Sequence, residues 1–109
     1  MRTPPVDEPT TPTKGVKYDA GKLDWTLVPF DALEGVVRVL QFGERKYARD
    51  NWKIIEDAEA RYHKATLRHL FAMLSGEERD AESGELHIDH AITCLLFARW
   101  HHEQPKETK

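Results

Sequence analysis

The sequence predicts an all-α fold: a small bundle of about three main helices behind an irregular N-terminal segment, completed by oligomerisation. Three observations lead there. Apolar residues recur at helical spacing in three stretches, beginning near Asp31, Glu56 and Leu86. No segment alternates over a useful length with the two-residue period of a strand. The part that folds, residues 15–103, is small enough that its helices keep apolar faces for a partner chain.

Residues 1–14, MRTPPVDEPTTPTK, hold four prolines and no periodic apolar pattern, which predicts a flexible tail, and 104–109 read the same way. GVKYDAGKLDWTLVPF follows, rich in lysine, aspartate and aromatics but without a clear period. Tyr18, Trp25, Leu27 and Val28 are expected to pack onto the helices. Lys17, Asp19 and Lys22 cluster around the turn-forming Gly21. They read either as surface charges or as a lysine-bearing loop that reaches a polyphosphate; the P-loop pattern GxxxxGK[ST] is absent.

The first helix opens at Pro29-Phe30-Asp31, with Asp31 as N-cap and Glu34 as its capping-box partner. Leu33, Val36, Val37, Leu40, Glu44 and Tyr47 fall along one face, and the helix fades between Tyr47 and Asp50. Gly35 and Gly43 each weaken it by about 1 kcal/mol relative to Ala, a cost compatible with close packing or close approach of a ligand. The second helix starts in the acidic run Glu56 to Glu59, where the macrodipole favours negative charge. Tyr62, Thr66, Leu70, Met73 and Leu74 form its buried stripe, with Leu67 and Phe71 beside it and His69 near the core face. Ser75-Gly76 ends it, with Gly76 as the C′ residue. The third helix runs from Glu85 or Leu86 to about His102. Ile88, Ile92, Leu95 and Leu96 make one apolar row, and His87, His90, Cys94, Phe97 and His101 make a second.

A net charge of −3 without a basic block disfavours a nucleic-acid partner. The single cysteine, Cys94, excludes an intrachain disulfide and suits a reducing compartment. No apolar run is long enough to span a bilayer and no signal peptide is present. The chain therefore reads as cytoplasmic, in the host cytoplasm if phage-encoded.

Chemistry concentrates between Arg68 and His90, RHLFAMLSGEERDAESGELHIDH, which holds three of the six histidines beside a Glu-x-x-Asp pair. Glu77 and Asp80 offer oxygens to a hard divalent cation, or form a solvated acidic turn. Glu34 is open to the same metal role, or to the capping box and an i,i+4 pair with Arg38. Two imidazoles and the thiol of the His87/His90/Cys94 row have donors for zinc but lack a recognised zinc-finger partner, and Cys94 reads as a small buried hydrophobe. Arg68 and His69 suit stabilisation of phosphoryl charge and positioning of water, or a salt bridge and an interfacial hydrogen bond.

KYDAGK, then FGxxKYxxxNW from Phe42 to Trp52, then RHLxAxLxGExxDxESG from Arg68 to Gly84 together resemble the phage and bacterial dATP/dGTP diphosphohydrolases. These are the MazZ-like relatives of the MazG-type nucleotide pyrophosphohydrolases, and the likeness covers about residues 16–98. It implies an all-α fold and hydrolysis of a purine deoxynucleoside triphosphate to the monophosphate and pyrophosphate. Dependence on Mg²⁺ or Mn²⁺ and assembly through helix packing follow from the same resemblance, and the apolar faces left by three short helices predict a homodimer or homotetramer. In that family two glutamate-bearing segments hold the metal. Glu34 matches the start of the first, although Gly35 and Arg38 stand where further glutamates would be, and Glu77 to Asp80 matches the second as ExxD, in a turn. Lys64 also stands where relatives would carry an acidic residue. The roles expected on this basis are Glu34, Glu77 and Asp80 on metal, and Lys46, Arg68 and His69 at the reacting phosphates. Lys17, Asp19, Lys22, Asn51, Trp52 and His87 are expected on the substrate, with Asn51 reading the purine edge and Trp52 stacking on it. The alternative is a non-catalytic helical module, a phage accessory protein that binds a nucleotide or a partner in the same groove.

Overall fold

The structure, a computed structural model, describes residues 14–106. Three helices form in chain order: α1 (Glu34–Lys46), α2 (Ala58–Leu74) and α3 (His87–Glu103), with no strand among the described residues. The all-α expectation holds. The tails expected at 1–14 and 104–109 fall outside the described residues, apart from Lys14 and 104–106. α2 and α3 pack along each other as an antiparallel hairpin, and α1 lies against α3.

Ser75 caps α2, and Gly76 follows in the left-handed region at φ +105°. The Gly76 N–H donates to the Met73 carbonyl at 3.1 Å and the Glu77 N–H to the Ala72 carbonyl at 2.9 Å. That pair of bonds is a Schellman motif, and it turns the chain toward α3 as Gly76 predicts. The start of α1 differs from expectation. Asp31 is not an N-cap: it sits inside a 3-10 turn, Phe30–Leu33, entered from Pro29 without a side-chain cap, and the α-helix begins only at Glu34.

α1 buries Gly35, Val36 and Val39, whereas Val37 is half-exposed, so the buried face is rotated from the expected one. Gly35 accounts for the rotation: a Cβ there would collide with the Asp89 carboxylate of α3. On α3 the histidine-bearing row turns inward. His87 is buried and His90, Cys94, Phe97 and His101 are half-buried, while the apolar row Ile88, Ile92, Leu95 and Leu96 lies exposed. Leu74 of the expected α2 stripe is exposed as well, and Tyr18, Trp25 and Leu27 do not pack onto the helices. Among the described residues, Val36, Val39, Ala58, Ala91 and Ala98 are the buried apolar side chains. The core is thin because much of the apolar surface faces outward.

Candidate functional site

The connection between α2 and α3 is a tight clamp. Asp80 N–H donates to the Glu85 carbonyl at 2.8 Å, Gly84 N–H to the Asp80 carbonyl at 2.8 Å, and His87 N–H to the Glu78 carbonyl at 2.9 Å. Gly84, at φ +77°, makes the reversal possible. Inside the turn, Asp80 Oδ2 accepts from the backbone N–H of Ser83 at 2.9 Å and of Glu82 at 3.1 Å. Two ion pairs tie the clamp to α1: Arg38 to Glu85 at 2.9 Å and Lys46 to Glu82 at 2.7 Å. The Asp80 carboxylate is thus held by backbone, in a loop braced at both ends.

Three imidazoles meet it. His69 Nδ1 and His87 Nδ1 lie 2.8 Å apart, and His87 Nε2 reaches Glu77 Oε1 at 3.1 Å. His90 stacks on His69 with ring centroids 4.6 Å apart, and its Nε2 shares a 2.6 Å hydrogen bond with Ser83 Oγ. One donor atom from each of His69, Asp80 and His87 falls within 4.8 Å of the others. A carboxylate only accepts, so His87 Nε2 donates to Glu77. A neutral His87 then offers a bare Nδ1 to the Nδ1–H of His69, and His69 keeps a lone pair on Nε2.

Electrostatics favour the neutral ring at His69. Burial, together with the neighbouring His90 and His87, lowers its pKa to about 4. Burial likewise lowers His90 against the pull of Asp80. Burial alone would raise the Asp80 carboxyl, but the Ser83 N–H and the charge of His90 outweigh it and the net shift is downward. Cys94 is pushed up to about 11 by burial and lies outside the converging group, so the His87/His90/Cys94 row does not assemble as a zinc site among the described residues.

His69, Asp80 and His90 line one side of a cleft of about 1300 Å³ between α1, α2 and α3, with Arg68, Lys46 and Asn51 along it. Arg68 makes no ion pair among the described residues, whereas Lys46 is engaged with Glu82. Several expected site residues lie away from the cleft or are engaged within the chain. Lys17, Asp19 and Lys22 are exposed in the segment before α1 and do not line the cleft. Glu34 is exposed and belongs neither to the cleft nor to the converging group. Glu77 stands behind His87, and His87 is buried behind the cleft wall and not on its surface. Trp52 is a packing hub: Phe97 covers one face at 4.2 Å and 11°, Trp100 meets it edge-on, and its carbonyl accepts from His101 Nε2 at 2.8 Å. Trp52 also lines the cleft, with one face covered by Phe97. Sequence reasoning missed the Ser83–His90 pair and the Lys46–Glu82 tie. Neither has a local spacing signal, because both depend on how the loop folds back.

The fold and this cleft define an all-α domain whose polar site combines imidazoles, a backbone-held carboxylate and an unpaired guanidinium. The chain belongs to the family described as dATP/dGTP diphosphohydrolase, N-terminal, whose model matches residues 12–109. It is 36% identical over 86 residues to a dATP/dGTP diphosphohydrolase of Salmonella phage PMBT28, covering 79% of this chain and 29% of that relative. The chain thus spans under a third of the relative's length. No solved structure matches it. No helix among the described residues is long and apolar enough to cross a membrane.

Proposed function

We propose that this domain binds a purine deoxynucleoside triphosphate, dATP or dGTP, in the cleft and hydrolyses it to the monophosphate and pyrophosphate. The observation that carries the reading is the convergence of Asp80 and His69 beside the unpaired Arg68 on one cleft wall. The 36% identity to a relative named for that activity supports it. Asp80 and His69 would hold a divalent cation, Mn²⁺ accepting the nitrogen ligand more readily than Mg²⁺, and that ion would supply charge neutralisation and a water of lowered pKa. Arg68 neutralises phosphate charge. His69, a neutral ring, would ligate through Nδ1, the nitrogen turned to His87, and hydrogen-bond water or phosphate through Nε2. Asn51 is half-buried along the cleft and carries an amide suited to a base edge. Water attacks the α-phosphorus, the bond to the bridging oxygen breaks, and pyrophosphate leaves with that oxygen. The chain works as a homo-oligomer in the cytoplasm.

Pyrophosphate release measured across the four dNTPs tests this. Activity is expected with dATP or dGTP and is expected to fall about a hundredfold or more in Asp80→Asn, roughly 2.7 kcal/mol of transition-state stabilisation. Undiminished turnover in that variant, with the fold intact by circular dichroism, removes Asp80 from the reaction. A second reading has one observation in its favour, the 29% coverage of the longer relative: a module that binds nucleotide without cleaving it. Saturable dATP or dGTP binding with no pyrophosphate released selects that reading.

A further inference from the structure

We infer that His69, His87 and Asp80 form a binding site for one first-row transition-metal ion, with Glu77 as the positioning residue behind it, and that the site discriminates against Mg²⁺. The geometry is that of a site collapsed onto a proton. Two imidazole nitrogens face each other at 2.8 Å with only one hydrogen to share between them. Metal–nitrogen bonds of about 2.0–2.1 Å place two ligand nitrogens roughly 3.0–3.4 Å apart. Opening the pair by about half an ångström is a small adjustment of two side chains.

The proton balance closes without a base. On binding, His69 carries its hydrogen on Nε2 instead of Nδ1, while His87 keeps its own on Nε2, so both rings stay neutral and both Nδ1 lone pairs face the ion. His87 Nε2–H already donates to Glu77 Oε1 at 3.1 Å. That is the carboxylate–imidazole–metal arrangement, which fixes a ligating ring's tautomer and raises its basicity. Asp80 supplies the third ligand from a carboxylate locked by two backbone N–H groups. His69 and Asp80 line the cleft and His87 does not, so the open coordination positions face the cleft.

Two borderline nitrogen donors and one oxygen suit Mn²⁺, Fe²⁺, Co²⁺ or Zn²⁺. Mg²⁺ demands oxygen ligands and gives up its water reluctantly. The site rests on the hydrolytic reading only for the use made of those open positions.

The full chain, stripped of metal, is titrated with Mn²⁺, Zn²⁺ and Mg²⁺ in a calorimeter, and the Mn²⁺ complex is examined for ¹⁴N coupling by pulsed electron paramagnetic resonance. One Mn²⁺ or Zn²⁺ per chain is expected, with nitrogen coupling, and Mg²⁺ at least a hundredfold weaker. Asp80→Asn and His69→Ala should abolish binding, and Glu77→Gln should weaken it about tenfold to a hundredfold. Equal affinity for Mg²⁺, no nitrogen coupling, or unchanged binding in folded Asp80→Asn and His69→Ala overturns the site. Metal bound as described without dNTP cleavage leaves the site standing and removes the hydrolytic reading. Cleavage of dATP or dGTP by a wild-type chain whose Mn²⁺ shows no nitrogen coupling does the reverse.

Discussion

His69 carries the largest consequence of any single side chain for how the site behaves as pH changes. Its folded pKa of about 4 lies well below the ordinary imidazole value of 6.5. The folded state therefore resists a proton that the unfolded state accepts. Its stabilising contribution is complete above about pH 6.5 and is lost as pH falls toward 4, because the unfolded chain binds more protons throughout that window. Metal-free wild type should lose thermal stability between pH 6.5 and 4.5 more steeply than His69→Gln, whose amide does not titrate. Parallel melting curves for the two proteins would show that the ring is not held neutral by its surroundings. His69, His87, Glu77 and Asp80 were recognisable in the sequence because they crowd into one stretch that runs from the end of α2 through the turn to the start of α3. Their division of labour was not. Whether Glu77 binds metal or orients His87 depends on which imidazole nitrogen it meets, and only the Schellman turn at Gly76 decides that.

Among the helices, periodicity revealed where each one lies but not which side turns inward. α3 has two candidate rows, one aliphatic and one rich in histidine, and hydrophobicity alone selects the aliphatic row. The chain buries the other one, because His87, His90 and His101 each find a polar partner in Glu77, Ser83 and the Trp52 carbonyl. Burial of a hydrogen-bonded imidazole carries little penalty, so the pattern of apolar residues misleads here. The glycines of α1 differ for the same kind of reason. At Gly35 a side chain meets Asp89, and at Gly43 nothing lies within 4 Å. Gly35→Ala should destabilise by about 1–3 kcal/mol through overpacking of α1 against α3. Gly43→Ala should stabilise by up to about 1 kcal/mol through helix propensity alone. Each kcal/mol moves the midpoint of a domain this size by roughly 4–8 °C, so thermal melts resolve the pair. A Gly35→Ala protein as stable as wild type would contradict the close approach of the two helices.

At the scale of the molecule, α2 and α3 each leave an apolar stripe open among the described residues. On α2, Leu67, Phe71 and Leu74 are 65%, 74% and 81% exposed, and on α3 Ile88, Ile92 and Leu95 are 44%, 39% and 50% exposed. Both sets repeat at i, i+4, i+7, the spacing of a helix-packing seam. A monomer seldom leaves so much regularly spaced apolar surface in water, particularly above so thin a core. We propose that a second copy of the chain covers the α2–α3 hairpin, giving a two-fold dimer in which each stripe meets its counterpart. Phe71 is the largest of these side chains, and a charge there should break the contact. Phe71→Glu is expected to weaken the dimer by about 2–4 kcal/mol, roughly thirty- to a thousandfold in Kd. The cleft lies on the opposite flank of α2, where Arg68 and His69 face α1, so Mn²⁺ binding should survive dissociation. Light scattering across a concentration series reads the assembly and calorimetry reads the metal. A wild-type chain that stays monomeric at high concentration would assign the stripes to a different partner. Loss of Mn²⁺ binding together with the dimer would mean that the second copy completes the site.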